Sequence, residues 1–529
     1  MEANNLHWID YLIMFLTLAV SVGIGVYFSK RQKDTENYFK AQGSIPSWAI
    51  GMSILATLIS SVTFLAYPGE GYSSNWIRLV QGLMVPITLL AIVGFVVPLF
   101  RKVIKLSAYE YFEKRFGSLA RYYTSVSFML THFSKMGSVF YLISLALSGM
   151  IGIDTSTIIW IIGIAIILLT LMGGIEAVIW LDVVQGFLLI IGGIISLCVI
   201  LFTVDGGPAN LWNVAMEGGR IGFGPFDWDF VNLTFWVMAL NGIFYAIQKY
   251  GTDQTIIQRY LTAKSDKEAI KASLMGVLLS VPVWALFMFI GTALYAYYQI
   301  ETPAVPLPDG IKADAVFPHF IMYQLPVGVV GLVISALIAA AISSLDSDLN
   351  CLSAILVEDY YKRFNPNSSD QQQLKMGRIF TVLAGLGAVG VALFYVNAGN
   401  SGVLGIIFTL YAIFSGGIAG MFLLGVFSTR ANKKGLNWGI AACIIFIAWA
   451  LLTSTPIGLG DNKKLLLDLG DFNYTHHKYM MGVYSHIVII VVGYVASLFY
   501  KNETVDETLT YIGWKKMQKA EHLNVETNK

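Results

Sequence analysis

The sequence predicts an all-α polytopic membrane protein of about thirteen transmembrane helices, and three observations carry that prediction. Of 529 residues, 56% are hydrophobic and 13% charged, about half the charged share of an ordinary soluble domain. Apolar runs of about 20 residues, the length that crosses a bilayer as a helix, recur along the chain. Basic residues between them alternate in abundance from one connecting segment to the next, as the positive-inside rule requires. This composition excludes a soluble enzyme, a disordered scaffold and a nucleic-acid binder. With 34 Lys and Arg against 33 Asp and Glu the net charge is +1, so no global field recruits a polyanion. Cys198, Cys351 and Cys443 stand far apart in apolar runs and make neither a disulfide framework nor a metal site.

In order, the apolar runs place spans at 8–28, 48–68, 76–100, 120–150, 156–174, 180–202, 233–252, 270–298, 326–360, 379–396, 402–429, 435–452 and 481–500. The fourth and ninth exceed an upright helix and are expected to tilt or extend beyond the bilayer. The first lacks a basic leader and a small-x-small cleavage site and is followed by Ser29-Lys30-Arg31. It reads as a retained span with the N-terminus outside, which puts the C-terminus in the cytoplasm. Segments then placed inside carry 26 of the 34 basic residues and segments placed outside carry five. The remainder, Arg78, Lys135 and Lys249, fall within spans. Segments 205–232 and 300–325 read as external caps, and the polar tail 501–529 as a cytoplasmic extension, solvated or regulatory.

Two motifs do not carry chemistry. Gly385-Leu386-Gly387-Ala388-Val389-Gly390 matches a dinucleotide fingerprint but sits mid-span, where glycines serve close helix packing. His476-His477 stands on a connecting segment without further ligands at metal spacing. No phosphate-cradling GxxxxGK[ST] loop occurs, so no nucleotide is expected, and no catalytic constellation points to an enzyme.

Polar residues inside the spans are more informative. The second span contains Thr57, Ser60, Ser61 and Thr63, whose hydroxyls compete for helix carbonyls, and then Pro68-Gly69. The seventh has Gly242 and then Gln248-Lys249-Tyr250-Gly251-Thr252-Asp253. Two polar-interrupted helices at corresponding places in two halves mark an inverted-repeat transporter with a midplane site; the competing reading is that the hydroxyls join neighbouring helices. In the ninth span Ser343 and Ser347 share a face, with Ser344 and Asp346 beside them. Such oxygens suit a hard monovalent cation, and an aspartate at a helix centre costs about 2.5–3.5 kcal/mol to insert. The alternative is an ion pair between Asp346 and Lys135 or Lys249. Together the three intramembrane bases favour an anionic solute.

The chain resembles the sodium/solute symporter family over about residues 8–500. The strongest matches are Tyr27-Phe28-Ser29-Lys30-Arg31-Gln32, the run from Gly173 to Gln185, Gln254-Thr255-Ile256-Ile257-Gln258-Arg259-Tyr260-Leu261 and residues 339–350. The nearest register is with the bacterial sialic acid members. The resemblance implies a five-plus-five inverted-repeat core of the leucine-transporter type. On that reading 1–47 holds an extra N-terminal helix, 48–204 and 233–429 the two repeats, 205–232 an external loop, 430–500 two C-terminal helices and 501–529 the tail. It implies a main sodium site from the carbonyls of Ala56, Ile59 and Ala340 with the hydroxyls of Ser343 and Ser344. A second sodium site, present in some members, falls on Asp182, Ser343, Asp346 and Ser347. Those members carry serine at position 346, so the count of sodium ions is one or two. Solute positions fall on Ser60, Thr63, Arg78, Gly82, Lys135, Gln248 and Lys249. At Lys135 the sialic acid members have an arginine that meets the solute carboxylate; lysine keeps the charge but loses the fork.

The expected function is sodium-coupled import of a small organic solute by alternating access, leaning to an acidic sugar such as a sialic acid or uronate. A neutral sugar or polyol symporter is the alternative, and a non-transporting membrane sensor a further one. Pairing of Lys135 with an internal acid would favour the neutral solute. The expected setting is the plasma membrane, of the bacterial inner-membrane kind. The expected partners are lipid and the solute, without nucleic acid, and the chain is expected to work as a monomer.

Overall fold

A computed structural model describes residues 6–29, 38–39, 41, 45–397, 403–457, 464–501, 505–516 and 519. The basic segment from Lys30 to Arg31 and most of the tail lie outside the described residues. The chain is almost entirely helical: α1 Trp8–Ser29, α2 Ser47–Leu58, α3 Val62–Ser73, α4 Leu79–Val103, α5 Glu110–Phe116, α6 Ser118–Ile151, α7 Thr155–Thr203, α8 Gly207–Glu217 and α9 Phe235–Gly251 come first. Then follow α10 Gln254–Thr262, α11 Asp266–Ile300, α12 Ala313–Gln324, α13 Val329–Ile355, α14 Asp370–Asn397, α15 Val403–Phe414, α16 Ile418–Phe427, α17 Lys433–Ser454 and α18 Lys478–Leu498. Among the described residues nine helices are long and apolar enough to cross a membrane, and ten if the bent pair α2–α3 is one span.

The differences from the expected spans have local causes. Spans five and six share one helix that turns at Gly174, whose φ of 57° is open to glycine but strained for other residues. Span eleven divides into α15 and α16 at Gly416 and Gly417, with φ of 46° and 74°. The expected external caps contain α8 and α12. Part of the tail packs on the protein: Tyr111 Oη donates to Leu509 O at 3.1 Å, and the Tyr511 ring lies 5.4 Å from Phe95.

Packing divides the chain into two compact units, neither continuous in sequence. The first comprises Met1–Pro86, His132–Phe223 and Gln258–Ile407, the second Ile87–Thr131, Gly224–Ile257 and Phe408–Lys529. In the first, α13 packs on α1, α2, α7 and α14, and α11 on α2 and α3. The apolar window of the span Val329–Phe364, which contains α13, is 83% buried, against 17% for α1, which exposes Trp8, Phe15 and Leu16 as a lipid-facing helix would. Asp10 of α1 nevertheless turns inward and accepts from Gly328 N and Gly331 N, both at 2.8 Å. A carboxylate there satisfies orphan amides at the start of α13 and complements its dipole. In the second unit α18 packs on α9, α16 and α17.

Candidate functional site

The hydroxyl-rich second span breaks where its composition predicts. α2 ends at Leu58, Ile59 is extended (φ −102°, ψ 118°), and the chain re-enters helix through a π turn at Val62–Ala66 with a bend of 57°. Ser60 Oγ accepts from Val62 N at 3.2 Å and Ser61 Oγ donates to Val139 O at 3.2 Å, so side chains hold the broken segment. Ile59 N satisfies Leu55 O at 3.0 Å. The following carbonyls of the last turn have no intrahelical amide to meet.

Of these, Ile59 O meets α13. Ala56, Ile59, Ala340 and Ser343 line one narrow gap, and Ser344 Oγ donates to Ile59 O at 3.4 Å. All five expected sodium ligands are therefore brought together. Ser343 Oγ gives its proton to Asp182 Oδ1 at 2.5 Å, which leaves its lone pairs for a cation. Gln185 lines the same gap, and among the described residues neither polar atom of its buried carboxamide has a hydrogen-bond partner. An unmade buried bond costs about 1–3 kcal/mol, and a cation would engage the amide oxygen. In the sequence Gln185 is only the last residue of the Gly173–Gln185 match, and a lone glutamine in a span reads equally as helix glue.

Around the expected second site, Asp182 and Ser347 bond the protein's own cation. Arg259, fully buried in α10, donates through Nη2 to Asp182 Oδ2 and to Ser347 Oγ, both at 2.8 Å. Its Nε donates to Ser53 Oγ at 2.8 Å, and Ser53 donates to Asp182 Oδ2 at 2.5 Å. Arg259 was counted among the bases of an inside segment because it follows the seventh span; in the structure it folds back under α2, α7 and α13. Two of the four expected residues, Asp182 and Ser347, thus meet the guanidinium, and Ser343 joins them through Asp182. Asp346, equally buried, is bound to the Thr170 hydroxyl.

The expected solute positions scatter. Ser60 and Thr63 are buried at the α2–α3 break. Arg78 pairs with Glu70. Gly82 lies beneath Trp284, whose Cε3 would be 2.7 Å from any Cβ there, so this position holds a ring in place rather than contributing a side chain. Lys135 does pair internally, though not with Asp346: its Nζ lies 3.0 and 3.1 Å from the two carboxylate oxygens of Asp348. His132 Nδ1 is 2.9 Å from the same carboxylate. Lys249 also has its own acid. At the break between α9 and α10 its Nζ donates to Asp253 Oδ2 at 2.8 Å and to Thr255 Oγ1 at 3.0 Å, while Asp253 Oδ1 caps Thr255 N at 2.9 Å. Gln248 is buried beside it, and its Oε1 has no hydrogen-bond partner.

The two dismissed motifs have structural roles. Any Cβ at Gly385 would meet Ile167 at 2.3 Å, and one at Gly387 would meet Phe133 at 2.9 Å. His476 bonds Tyr484 and His477 caps α18.

The sequence model described as the sodium:solute symporter family matches residues 38–442. A sodium/sialic acid symporter, NanT of Aliivibrio fischeri, is 35% identical over 506 residues, covering 95% of this chain and 95% of its own. The sodium/sialic acid symporter SiaT of Proteus mirabilis is 36% identical over 451 residues, covering 84% of this chain and 90% of its own. A solved Na+-coupled sialic acid symporter, in a substrate-bound outward-open state with a novel Na+ site, superposes with a TM-score of 0.83 at 32% identity. That match covers 95% of this chain and 100% of that one.

Proposed function

Because the chain belongs to the sodium:solute symporter family, we propose that it imports an acidic sugar of the sialic acid or uronate kind together with sodium. It is a multi-pass membrane transporter of the leucine-transporter-like class, not an enzyme, and sodium is its coupled ion. The repeats fall at 48–204 and 233–429, the N-terminus faces outward, and the protein works as a monomer in a bacterial inner membrane.

Sodium enters from outside and sits among Ala56 O, Ile59 O, Ala340 O, Ser343 Oγ and Ser344 Oγ. The observation that supports this is the convergence of all five, from a broken helix and from α13, on one gap. Filling it ties the loose end of α2 to α13 and so fixes Ser60 and Thr63, the next residues of the break, for the solute. Each sodium moving inward across 100 mV contributes about 2.3 kcal/mol, which an anionic solute offsets charge for charge. With Arg259 already opposite Asp182, a second sodium has Asp346 as its remaining carboxylate. Lys135 receives the solute carboxylate; occupation of both sites favours the occluded state, and rocking of the repeats opens it inward.

One observation favours a neutral sugar or polyol instead, namely the ion pair Lys135 already makes with Asp348. Uptake into proteoliposomes, tested against sugars, sugar acids and small carboxylates with and without sodium, separates the readings. Sodium-dependent uptake of a sugar acid is expected, lost in Lys135→Ala. Uptake of neutral sugars alone would establish the alternative, and absence of counterflow for every solute would leave a sensor.

A further inference from the structure

Lys135, His132 and Asp348 form a buried trio that the transport cycle above leaves with two unassigned members. His132 and Lys135 lie one turn apart on the same face of α6, and both reach Asp348 on α13. The three are unequal. Asp348 is fully buried, whereas the Lys135 side chain remains 23% accessible on its flexible stem. Asp348 also has a second holder, so losing Lys135 does not strand it: His132 stays at 2.9 Å. The lysine is the member free to leave.

We propose that Asp348 is a specificity-determining residue, an internal carboxylate that holds Lys135 in place of the solute's own. The inference rests on the reading of Lys135 as the group that meets an acidic solute. An unpaired ammonium at mid-span is expensive, so between transport events it needs an anionic partner. A solute acid takes the ammonium by exchanging one carboxylate for another, and Asp348 falls back on His132. A solute without a negative charge has nothing to exchange. The internal pair therefore lowers apparent affinity for the right solute by the fraction of time Lys135 is engaged, and gives neutral analogues no foothold. It also makes release reversible at little cost, because Asp348 reclaims the lysine as the solute leaves.

The test is the direction in which two variants move KM for N-acetylneuraminate in sodium-driven uptake by the full-length protein in proteoliposomes. Asp348→Asn frees Lys135 and is expected to lower KM about three- to tenfold, in line with an apparent affinity set by the competent fraction. His132→Gln removes the second holder, makes Asp348 depend more on Lys135, and is expected to raise KM with kcat little changed. A trio that only braces α6 against α13 would give KM shifts of one sign in both variants, or losses in kcat alone, and either result overturns the proposal. If Asp348→Asn does not reach the membrane, His132→Gln still decides: a lowered or unchanged KM refutes exchange. Failure of the functional reading is distinguishable, because Lys135→Ala would then transport the acid with unchanged KM whatever the other variants do.

Discussion

Two helix breaks among the described residues are rich in polar groups, and they are closed in opposite ways. At 59–61 the edges are carbonyl and hydroxyl oxygens, Ile59 O, Ser343 Oγ and Ser344 Oγ among them, beside a glutamine whose amide has no partner. At 252–253 the chain supplies both charges itself, with Lys249 on Asp253 and Thr255, and caps the next helix with the same aspartate. On the proposed reading the first break is completed by an ion from outside, whereas the second is completed by the chain's own charges. The Asp182–Arg259 cluster, a turn along α13 from the gap, follows the second pattern. The proposed distinction between the two breaks is therefore whether the chain supplies its own counter-charge.

The largest effects that sharpen this contrast belong to the self-completed regions. Lys249→Met leaves Asp253 without its buried partner and is expected to cost about 3–5 kcal/mol of stability, with Arg259→Met in the same range. Thermal unfolding in detergent would measure this, and in the surviving Lys249→Met protein the sodium concentration for half-maximal uptake should not move. A sodium shift there would erase the contrast between the breaks.

Smaller effects come from the open break. Ser343→Ala removes an oxygen from the gap, and a lost bond to a charged group of about 1.5–3 kcal/mol corresponds to roughly ten- to a hundredfold in sodium affinity. Sodium titration of uptake reads it, and an unchanged half-saturation removes Ser343 from the site. Gln185→Leu is expected to weaken sodium dependence only a few-fold, while thermal stability holds or rises because an unpaired buried amide is gone. Lower stability with intact sodium dependence would assign Gln185 to packing.

Much of the fold was legible because a bilayer demands apolar runs of fixed length, and both breaks were legible because Ser60-Ser61 and Gly251-Thr252 weaken a helix in ways residue chemistry announces. The turns at Gly174 and at Gly416-Gly417 were not, since glycines inside spans far more often serve packing. Gly385 and Gly387 do so here. The carbonyls proposed to hold sodium were assigned through resemblance, since backbone carbonyls leave no mark in residue identity. Arg259 was missed for a physical reason: a base just past an apolar run is what an inside loop looks like, and only the fold brings it back to Asp182, 77 residues away in sequence. Lys135 was noticed, but its partner Asp348 is 213 residues distant and had Asp346 as an acidic competitor two residues away.

The account turns on whether an alkali ion completes the open break. Purified protein in sealed vesicles, given labelled N-acetylneuraminate and an inward sodium gradient, is expected to accumulate it above equilibrium and to stop when choline replaces sodium. Ser343→Ala should need far more sodium for the same rate. Accumulation that proceeds equally well in choline would contradict the account.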